Sequence, residues 1–398
     1  MTSSAASTLP TPAASTAGAV RQGLWTAGEV AERVLTADGA PHATLLRVDP
    51  EPLRAAAGAL DRRADRFALP LAGVPVAVED GISVVGRGDE PVRRLRGAGA
   101  LVAGRTRTAE FGLGSDGSPG GRAAAAVVAS GRVALAIGID GDGALRAAAS
   151  TLGLAALKPG RRVLPLPAGA DRRWAGLAET TLVGTAPDDL TAALAALSVP
   201  APAGRARTPA PAPVAPAEPL GTLACSLRTG RTHRADPDAA AAVHAALQAL
   251  AAHGLRLLAD DPPYRALLGV HTARRHRAGL ARNVEDLGLG TAELPRAARS
   301  EARRGRRVRR LGGLRPATPG TWRQRVLDRL DEVGADAILL PAPGGPDAAG
   351  TTGYAAWNLA GLPSLVTPAV EGCVQLVGRP GSERRLLATG ALLGRRPA

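Results

Sequence analysis

The chain has 398 residues, of which 45% are hydrophobic and 2% aromatic, so a large folded core must be built from Ala, Leu and Val. Its formal charge is +14, but Lys158 is the only lysine, and this arginine-heavy composition, typical of a GC-rich genome, weakens the case for a nucleic-acid partner. Cys225 and Cys373 form no C-x-x-C unit, which argues against a disulfide framework or a zinc site, and no apolar run reaches the roughly 18 residues that span a bilayer.

The first half of the chain alternates predicted strands and helices. Residues 1–18 are expected to form a disordered tail rather than a signal peptide. Two helices follow over 26–35 and 52–68, the first with Thr26 as N-cap and Glu29 three residues on. Strands over 71–78, 100–103 and 133–139 then alternate with helices over 90–98 and 122–130, and a helix over 187–197 ends the half of the chain that spans 19–198. This alternation predicts an α/β fold with a mixed, mostly parallel sheet.

A Pro/Ala-rich segment over 199–219 predicts an extended linker between the two halves. The second half, 220–398, begins with a strand over 220–227, a helix over 236–253 and a strand over 255–258. A very basic helical region covers 264–312, and a helix over 319–333 precedes a strand over 335–341. We expect both halves to form one unit, with the strands at 220–227 and 335–340 in the same sheet as residues 74–78.

Four segments occur in a fixed order: 73–80 (GVPVAVED), 95–106 (LRGAGALVAGRT), 118–122 (SPGGR) and 138–146 (GIDGDGALR). Two later segments, 358–363 (NLAGLP) and 374–380 (VQLVGRP), complete the set. Together they resemble the amidase signature family over roughly residues 20–393. The resemblance implies a central mixed β-sheet flanked by helices on both faces. It also implies hydrolysis of amide C–N bonds by a Ser–cis-Ser–Lys triad as the family reaction.

The positions that should carry this triad hold other residues. The resemblance places the lysine at Glu79, the relay serine at Gly121 and the nucleophilic serine at Ala144. Lys158 instead matches a structural Leu-Lys-Pro segment. Because a serine hydroxyl needs both base and relay to be activated, the sequence predicts a family member without the usual hydrolysis. The backbone amides of the turn at 140–143 are still expected to form a cradle like an oxyanion hole.

The pocket that remains is predicted to be acidic. Its candidate residues are Glu79, Asp80, Asp140, Gly141, Asp142, Gly143 and Ala144. One interpretation is a repurposed site, with a carboxylate pair acting as acid and base or binding a cation. The other, which we favour, is that Asp80 and Asp140 hold loops while Glu79 and Asp142 have drifted. The turn lacks the later ligands of a calcium loop, so no metal site is predicted.

Three functions stay open at this point. The first is a pseudo-amidase that binds a small amide-like or cationic ligand, or a protein partner, in the cytoplasm and without a cofactor. The second is a repurposed enzyme that uses the pocket carboxylates, or an ordinary amidase if the site is misaligned. The third is a basic nucleic-acid-associated protein, disfavoured because the arginine cluster at 303–310 has no interleaved aromatic residues. His233, His244 and His253 are expected on the surface, and His271 and His276 lie among arginines without the i, i+4 spacing of a zinc pair.

Overall fold

A single sheet organises the molecule. The computed structural model describes residues 12–37, 46–82, 89–108, 122–198, 217–290, 292–314, 318–344 and 352–394. The strands are β1 (Leu46–Val48), β2 (Pro75–Glu79), β3 (Leu101–Thr106), β4 (Leu135–Asp140), β5 (Ala155–Lys158), β6 (Glu179–Gly184), β7 (Thr222–Cys225), β8 (Arg256–Ala259), β9 (Ala337–Pro341), β10 (Ser364–Pro368) and β11 (Cys373–Gly378). These eleven described strands lie in the order β1-β3-β2-β4-β6-β5-β10-β11-β9-β7-β8.

The sheet is mixed, as predicted, but it is not mostly parallel. Within the described ranges, β2 is parallel to β3 and β4, and β7 is parallel to β8 and β9. The other six pairings are antiparallel. The prediction of a mostly parallel sheet was wrong because the strand–helix alternation covers only these two groups. The strands that join the groups, β6, β5, β10 and β11, are each antiparallel to both of their neighbours in the sheet.

Both halves of the sequence contribute to this sheet, which confirms the prediction that the strands near 220–227 and 335–340 join the strand near 74–78. The halves meet where Lys158 of β5 pairs with Ser364 of β10. The predicted linker lies, up to residue 216, outside the described residues, and the proposed division at 199–219 stays a prediction.

Helices cover both faces of the sheet. They are α1 (Ala13–Arg21), α2 (Ala27–Thr36), α3 (Pro50–Asp61), α4 (Glu90–Gly97), α5 (Arg122–Ala129), α6 (Ala144–Thr151), α7 (Pro187–Ser198), α8 (Pro237–Ala252), α9 (Leu268–Asp286), α10 (Arg296–Arg310), α11 (Thr318–Val333), α12 (Thr352–Ala360) and α13 (Glu383–Leu393), with short 3₁₀ helices at Arg66–Ala68 and Ala170–Ala175. Side chains of β2 show the layering, since Val76 and Val78 enter one core and Ala77 the other. None of the helices in the described ranges is long and apolar enough to cross a membrane.

The start of the chain differs from the prediction. The disordered tail was expected to reach residue 18, yet α1 begins at Ala13, and its Ala13, Ala17 and Val20 side chains are buried. The amide of Ala14 donates to a carboxylate oxygen of Asp189 at 3.3 Å, which supplies an acceptor for the start of the helix. A Ser/Thr/Ala-rich segment that was predicted to be disordered therefore forms a packed helix. Alanine favours helix and can be buried without loss of side-chain rotamer entropy. Residues 1–11 lie outside the described residues.

The capping signal of α2 is confirmed. The Thr26 side chain accepts from the Glu29 amide at 3.1 Å, and the Glu29 carboxylate accepts from the Thr26 amide at 2.8 Å. The reciprocal pair fixes the start of the helix at the residue that the sequence indicates.

Candidate active site

The turn that follows β4 is held by two carboxylates. Asp140 ends β4, and its Oδ1 accepts a hydrogen bond from the Gly143 amide at 2.7 Å. Asp142 Oδ1 accepts from the amide of Ala144, the first residue of α6, at 3.0 Å. Gly143 has φ +95°, and a Cβ there would lie 2.1 Å from Cβ of Tyr354, so a side chain is excluded. Of the amides at 140–143 expected to form a cradle, that of Gly143 therefore already has an acceptor inside the turn, as does the next amide, that of Ala144.

A buried arginine neutralises the first of these carboxylates. Arg146 is fully buried, and its Nε lies 2.9 Å from Asp140 Oδ2. Its guanidinium also donates to Ser364 at 3.1 Å and to Asn358 of α12. Burial alone would raise the pKa of Asp140, but the Arg146 charge and hydrogen bond, together with the bond from the Gly143 amide, hold it below its usual value. This network joins the turn to strands of the other half of the chain.

Glu79 lies at the end of β2, beside this turn. Its Oε2 accepts from the Ile139 amide at 2.5 Å, and Oε1 accepts from the Thr108 hydroxyl at 3.4 Å. A Cβ at Gly138 would lie 2.7 Å from Oε2, so the glycine on β4 makes room for the carboxylate. Burial raises the pKa of Glu79 to about 7, although these hydrogen bonds and the charge of Arg173 act in the opposite direction.

Asp80 does not join this group. Its carboxylate points to Arg105, whose NH1 lies 3.1 Å away, and the side chain is 39% exposed. Asp80 lies in the turn that follows β2, and its carboxylate is directed to Arg105 and not to the buried Glu79. Of the acidic candidates, the structure brings together Glu79, Asp140 and Asp142.

Trp174 covers the turn. The three atoms nearest to a Cβ built at Gly141 all belong to the Trp174 indole, with Cε3 at 1.7 Å, so the ring lies directly on the glycine backbone. The residue has φ +49° and ψ +37°, a left-handed conformation that is unfavourable for a tryptophan. A Cβ at Gly279 of α9 would lie 2.2 Å from Trp174 Cα, so α9 packs tightly behind it. The side chain therefore occupies space in front of the turn.

His276 of α9 completes this cover. Its ring stacks on Trp174 with centroids 5.5 Å apart, and Nε2 lies 3.9 Å from Asp142 Oδ2. Burial raises the pKa of Asp142, while the charge that His276 can carry lowers it. The sequence indicated no role for His276; its ring reaches the turn because α9 packs against the 3₁₀ segment at Ala170–Ala175.

The single lysine has a structural role at the end of β5. Lys158 Nζ donates to the carbonyls of Pro159 and Leu362 at 2.8 Å each. Burial and the neighbouring Arg146 charge lower the pKa of Lys158 to about 7, although Glu179 favours its charged form. Its position matches the structural role that the sequence indicated.

Two further points concern the predicted site. Gly121, the expected relay position, lies with residues 109–121 outside the described residues. In the part of the chain that is described, no group of three or more His, Cys, Asp or Glu side chains could hold a metal ion.

Comparison with known proteins identifies the family. No family model matches the chain. The putative amidase AmiB2 of Mycobacterium tuberculosis is 30% identical over 406 residues, covering 85% of this chain and 85% of its own length. The chain belongs to the amidase signature family. The putative amidase AmiA2 of the same organism is 29% identical over 415 residues, covering 85% of this chain and 82% of its own.

Solved structures show that the amidase signature fold is retained. A 6-aminohexanoate cyclic dimer hydrolase superposes with a TM-score of 0.78 at 22% identity, over 97% of this chain and 98% of that one. A bacterial aryl acylamidase of the amidase signature family superposes with a TM-score of 0.76 at 17% identity, over 96% of both chains. Membership of this family supports amide hydrolysis as the ancestral reaction.

Sequence reasoning missed Arg146, Trp174 and His276. Arg146 stood inside the quoted segment 138–146, but it lies six residues from Asp140 with a turn between them, which is not an ion-pair spacing that a sequence pattern indicates. Trp174 is one of only four tryptophans, but its place over the turn depends on contacts distant in sequence. In this amidase signature protein, Arg146 fixes the turn, and Trp174 and His276 cover it.

Proposed function

We propose that this amidase signature protein no longer hydrolyses amides and acts as a non-catalytic homologue. The observation that carries the proposal is the setting of Glu79. The resemblance puts the general-base lysine at this position, and a buried carboxylate hydrogen-bonded to the Ile139 amide stands there instead. A carboxylate beside the turn would repel a developing oxyanion. It cannot replace a lysine–serine relay that is missing its serines.

The nucleophile position supports the same conclusion. Ala144 has no hydroxyl group, and the only lysine of the chain, Lys158, is bonded to two backbone carbonyls. The amides of Gly143 and Ala144 donate to Asp140 and Asp142, so they are not free to stabilise an oxyanion. We also expect the Ala144 Cβ to point into the pocket, toward Glu79.

The cover over the turn also favours a non-catalytic role. In the family reaction, the substrate carbonyl would have to reach the nucleophile position, held here by Ala144. We expect the Trp174 indole, which lies on Gly141, to obstruct that approach. Under this proposal, the protein binds a small amide-like or cationic ligand, or a protein partner, through its retained fold. The proposal places it in a reducing cytoplasm, supported by the free thiols of Cys225 and Cys373.

The test is an amidase assay of the purified full chain with simple primary amides and anilides, with an aryl acylamidase as positive control. We expect no turnover by the wild type and no rescue by Ala144→Ser, because base and relay are still missing. A Glu79→Lys, Ala144→Ser double variant measures how much of the ancestral reaction two substitutions restore. Turnover by the wild type that is abolished by mutating any one serine would overturn the proposal and indicate an ordinary amidase.

A second candidate function is acid–base catalysis by Glu79. The favouring observation is its pKa of about 7, since a general acid or base is most effective when its pKa is near the working pH. Under this alternative, hydrolysis of p-nitrophenyl esters would rise with pH through about 7 and be lost in Glu79→Gln. The matched control is Glu371→Gln, at an exposed residue between β10 and β11. Activity that is equal in both variants would exclude Glu79 as the base.

A further inference from the structure

The helix α10 carries an unusual basic face. Arg303, Arg306, Arg307 and Arg310 follow one another at the i, i+3, i+4, i+7 spacing that puts side chains on one side of a helix. The opposite face packs on α9 through Ala298, Ala302 and Gly305, all buried. A Cβ at Gly305 would lie 1.9 Å from the carbonyl oxygen of Arg277, so the two helices are in close contact. This contact fixes which arginines face outward.

Other arginines of the same helix are paired. Arg304 forms an ion pair with Glu301, and Arg309 NH1 lies 2.5 Å from a carboxylate oxygen of Glu285. By contrast, the side chains of Arg303, Arg306, Arg307 and Arg310 have no ion pair or hydrogen bond to any described residue. Like charges four residues apart destabilise a helix by about 0.2–0.5 kcal/mol per pair. No described residue therefore offsets the mutual repulsion of these four arginines.

These four side chains share one concavity. It has a volume of about 360 Å³ and is lined by the four arginines and by Leu311, whose side chain is 73% exposed. The concavity is open and lined mainly by guanidinium groups, so charge and hydrogen bonding rather than enclosure would hold a ligand there. Guanidinium groups form paired hydrogen bonds with phosphate oxygens, and several converging guanidiniums can bind several phosphates.

We propose that this concavity is a binding site for a compact polyphosphate anion, such as inorganic tripolyphosphate or the phosphates of a nucleoside triphosphate. The four arginines span about 10 Å along the helix, at 1.5 Å per residue. This length suits a short polyphosphate chain better than a tracked nucleic-acid strand. No aromatic residue lies among residues 303–311 to stack on bases, so the phosphates supply the recognition. The proposal does not depend on the loss of amidase activity.

The experiment is isothermal titration calorimetry of the full chain with tripolyphosphate, at about 0.15 M salt to screen diffuse attraction. The test variant is Arg303→Gln/Arg307→Gln. The matched control is Arg304→Gln/Arg309→Gln, which removes the same charge from the same helix. We expect saturable binding that weakens roughly tenfold or more in the test variant and less than about threefold in the control, because only the first pair faces the concavity. Circular dichroism verifies that both variants keep the fold.

ATP and a single-stranded RNA complete the set of titrants. Binding of tripolyphosphate and ATP with similar affinity assigns recognition to the phosphate chain, and tighter binding of ATP assigns a nucleotide. No saturable heat up to millimolar tripolyphosphate would overturn the proposal. Equal loss of affinity in both double variants would overturn it as well, since binding would then follow overall charge. RNA binding that exceeds tripolyphosphate binding, with a steep salt dependence, would replace it with a nucleic-acid surface.

Discussion

Gly141→Ala should destabilise the protein through one contact, that between the turn and the Trp174 ring. Gly141 does not have a positive φ, so alanine fits its backbone, and the effect is steric. The added Cβ would lie 1.7 Å from Cε3, whereas ordinary contacts begin at 3.4 Å. The indole must therefore move by about 2 Å, and overpacking of this kind costs about 1–3 kcal/mol. We expect a loss at the upper end, because α9 packs behind the Trp174 backbone and limits its retreat.

The measurement is urea unfolding followed by circular dichroism for Gly141→Ala, Trp174→Ala and the double variant. With the indole removed, the new methyl group meets no ring, so the double variant should be no less stable than Trp174→Ala alone. The coupling free energy should then equal the cost of Gly141→Ala in the wild type, about 2–3 kcal/mol.

Gly18→Ala provides the matched control, because a Cβ at Gly18 in α1 meets nothing within 4 Å. It should be neutral or stabilise by up to about 1 kcal/mol, as alanine does in a helix. The reasoning fails if Gly141→Ala is as mild as this control. It also fails if the loss of unfolding free energy in the double variant equals the sum of the two single losses. Atoms other than the indole would then fill the space over the turn.

Three further predictions concern the same region. Arg146→Met should cost about 3–5 kcal/mol in urea unfolding, because it leaves Asp140 charged and buried; a cost below about 1 kcal/mol would contradict the buried pair. Between pH 4.5 and about 7 the folded chain keeps a proton on Glu79 that the unfolded chain has released, so stability due to this group falls as pH rises. The free energy of unfolding of Glu79→Gln should therefore rise relative to that of the wild type through that window. The gain is up to roughly 3 kcal/mol, at about 1.4 kcal/mol per pKa unit. A difference in urea midpoint that stays constant from pH 4 to pH 8 would refute this. Trp174→Gly should be more stable than Trp174→Ala by about 1 kcal/mol, because only glycine adopts φ +49° without strain, and equal midpoints would contradict the left-handed backbone.

Much of the fold could be predicted from the sequence where the signals are local. The Thr26–Glu29 capping pair fixed the start of α2, and the helix predicted over 236–253 is observed as α8, Pro237–Ala252. The antiparallel central strands could not be predicted in this way. Their direction depends on pairings such as β5 with β10, which join residues from different halves of the chain. Helix α1 was missed because an alanine-rich stretch becomes a stable helix only when it can pack.

The candidate site was predictable only in part for a similar reason. The glycine-rich turn at 140–143 and the unusual Glu79 were visible in the family pattern. The direction of Asp80 could not be inferred from strand alternation, because the residue lies in the turn after β2. The cover by Trp174 and His276 could not, because it depends on α9 packing against the 3₁₀ segment at Ala170–Ala175.

The junction of β5 with β10 has a consequence for how the chain acquires its fold. Strand β5 is buried along its length, yet the pairing partner on one of its sides comes from the last tenth of the sequence. During synthesis, the edge of β5 that pairs with β10 therefore stays unpaired until almost all of the second half has emerged from the ribosome. An unpaired edge of this kind is a template for association with other chains. Long-range pairing also slows folding, since loop closure must precede the contacts that reward it. The pairing that depends on the end of the chain thus lies in the middle of the sheet rather than at one of its edges.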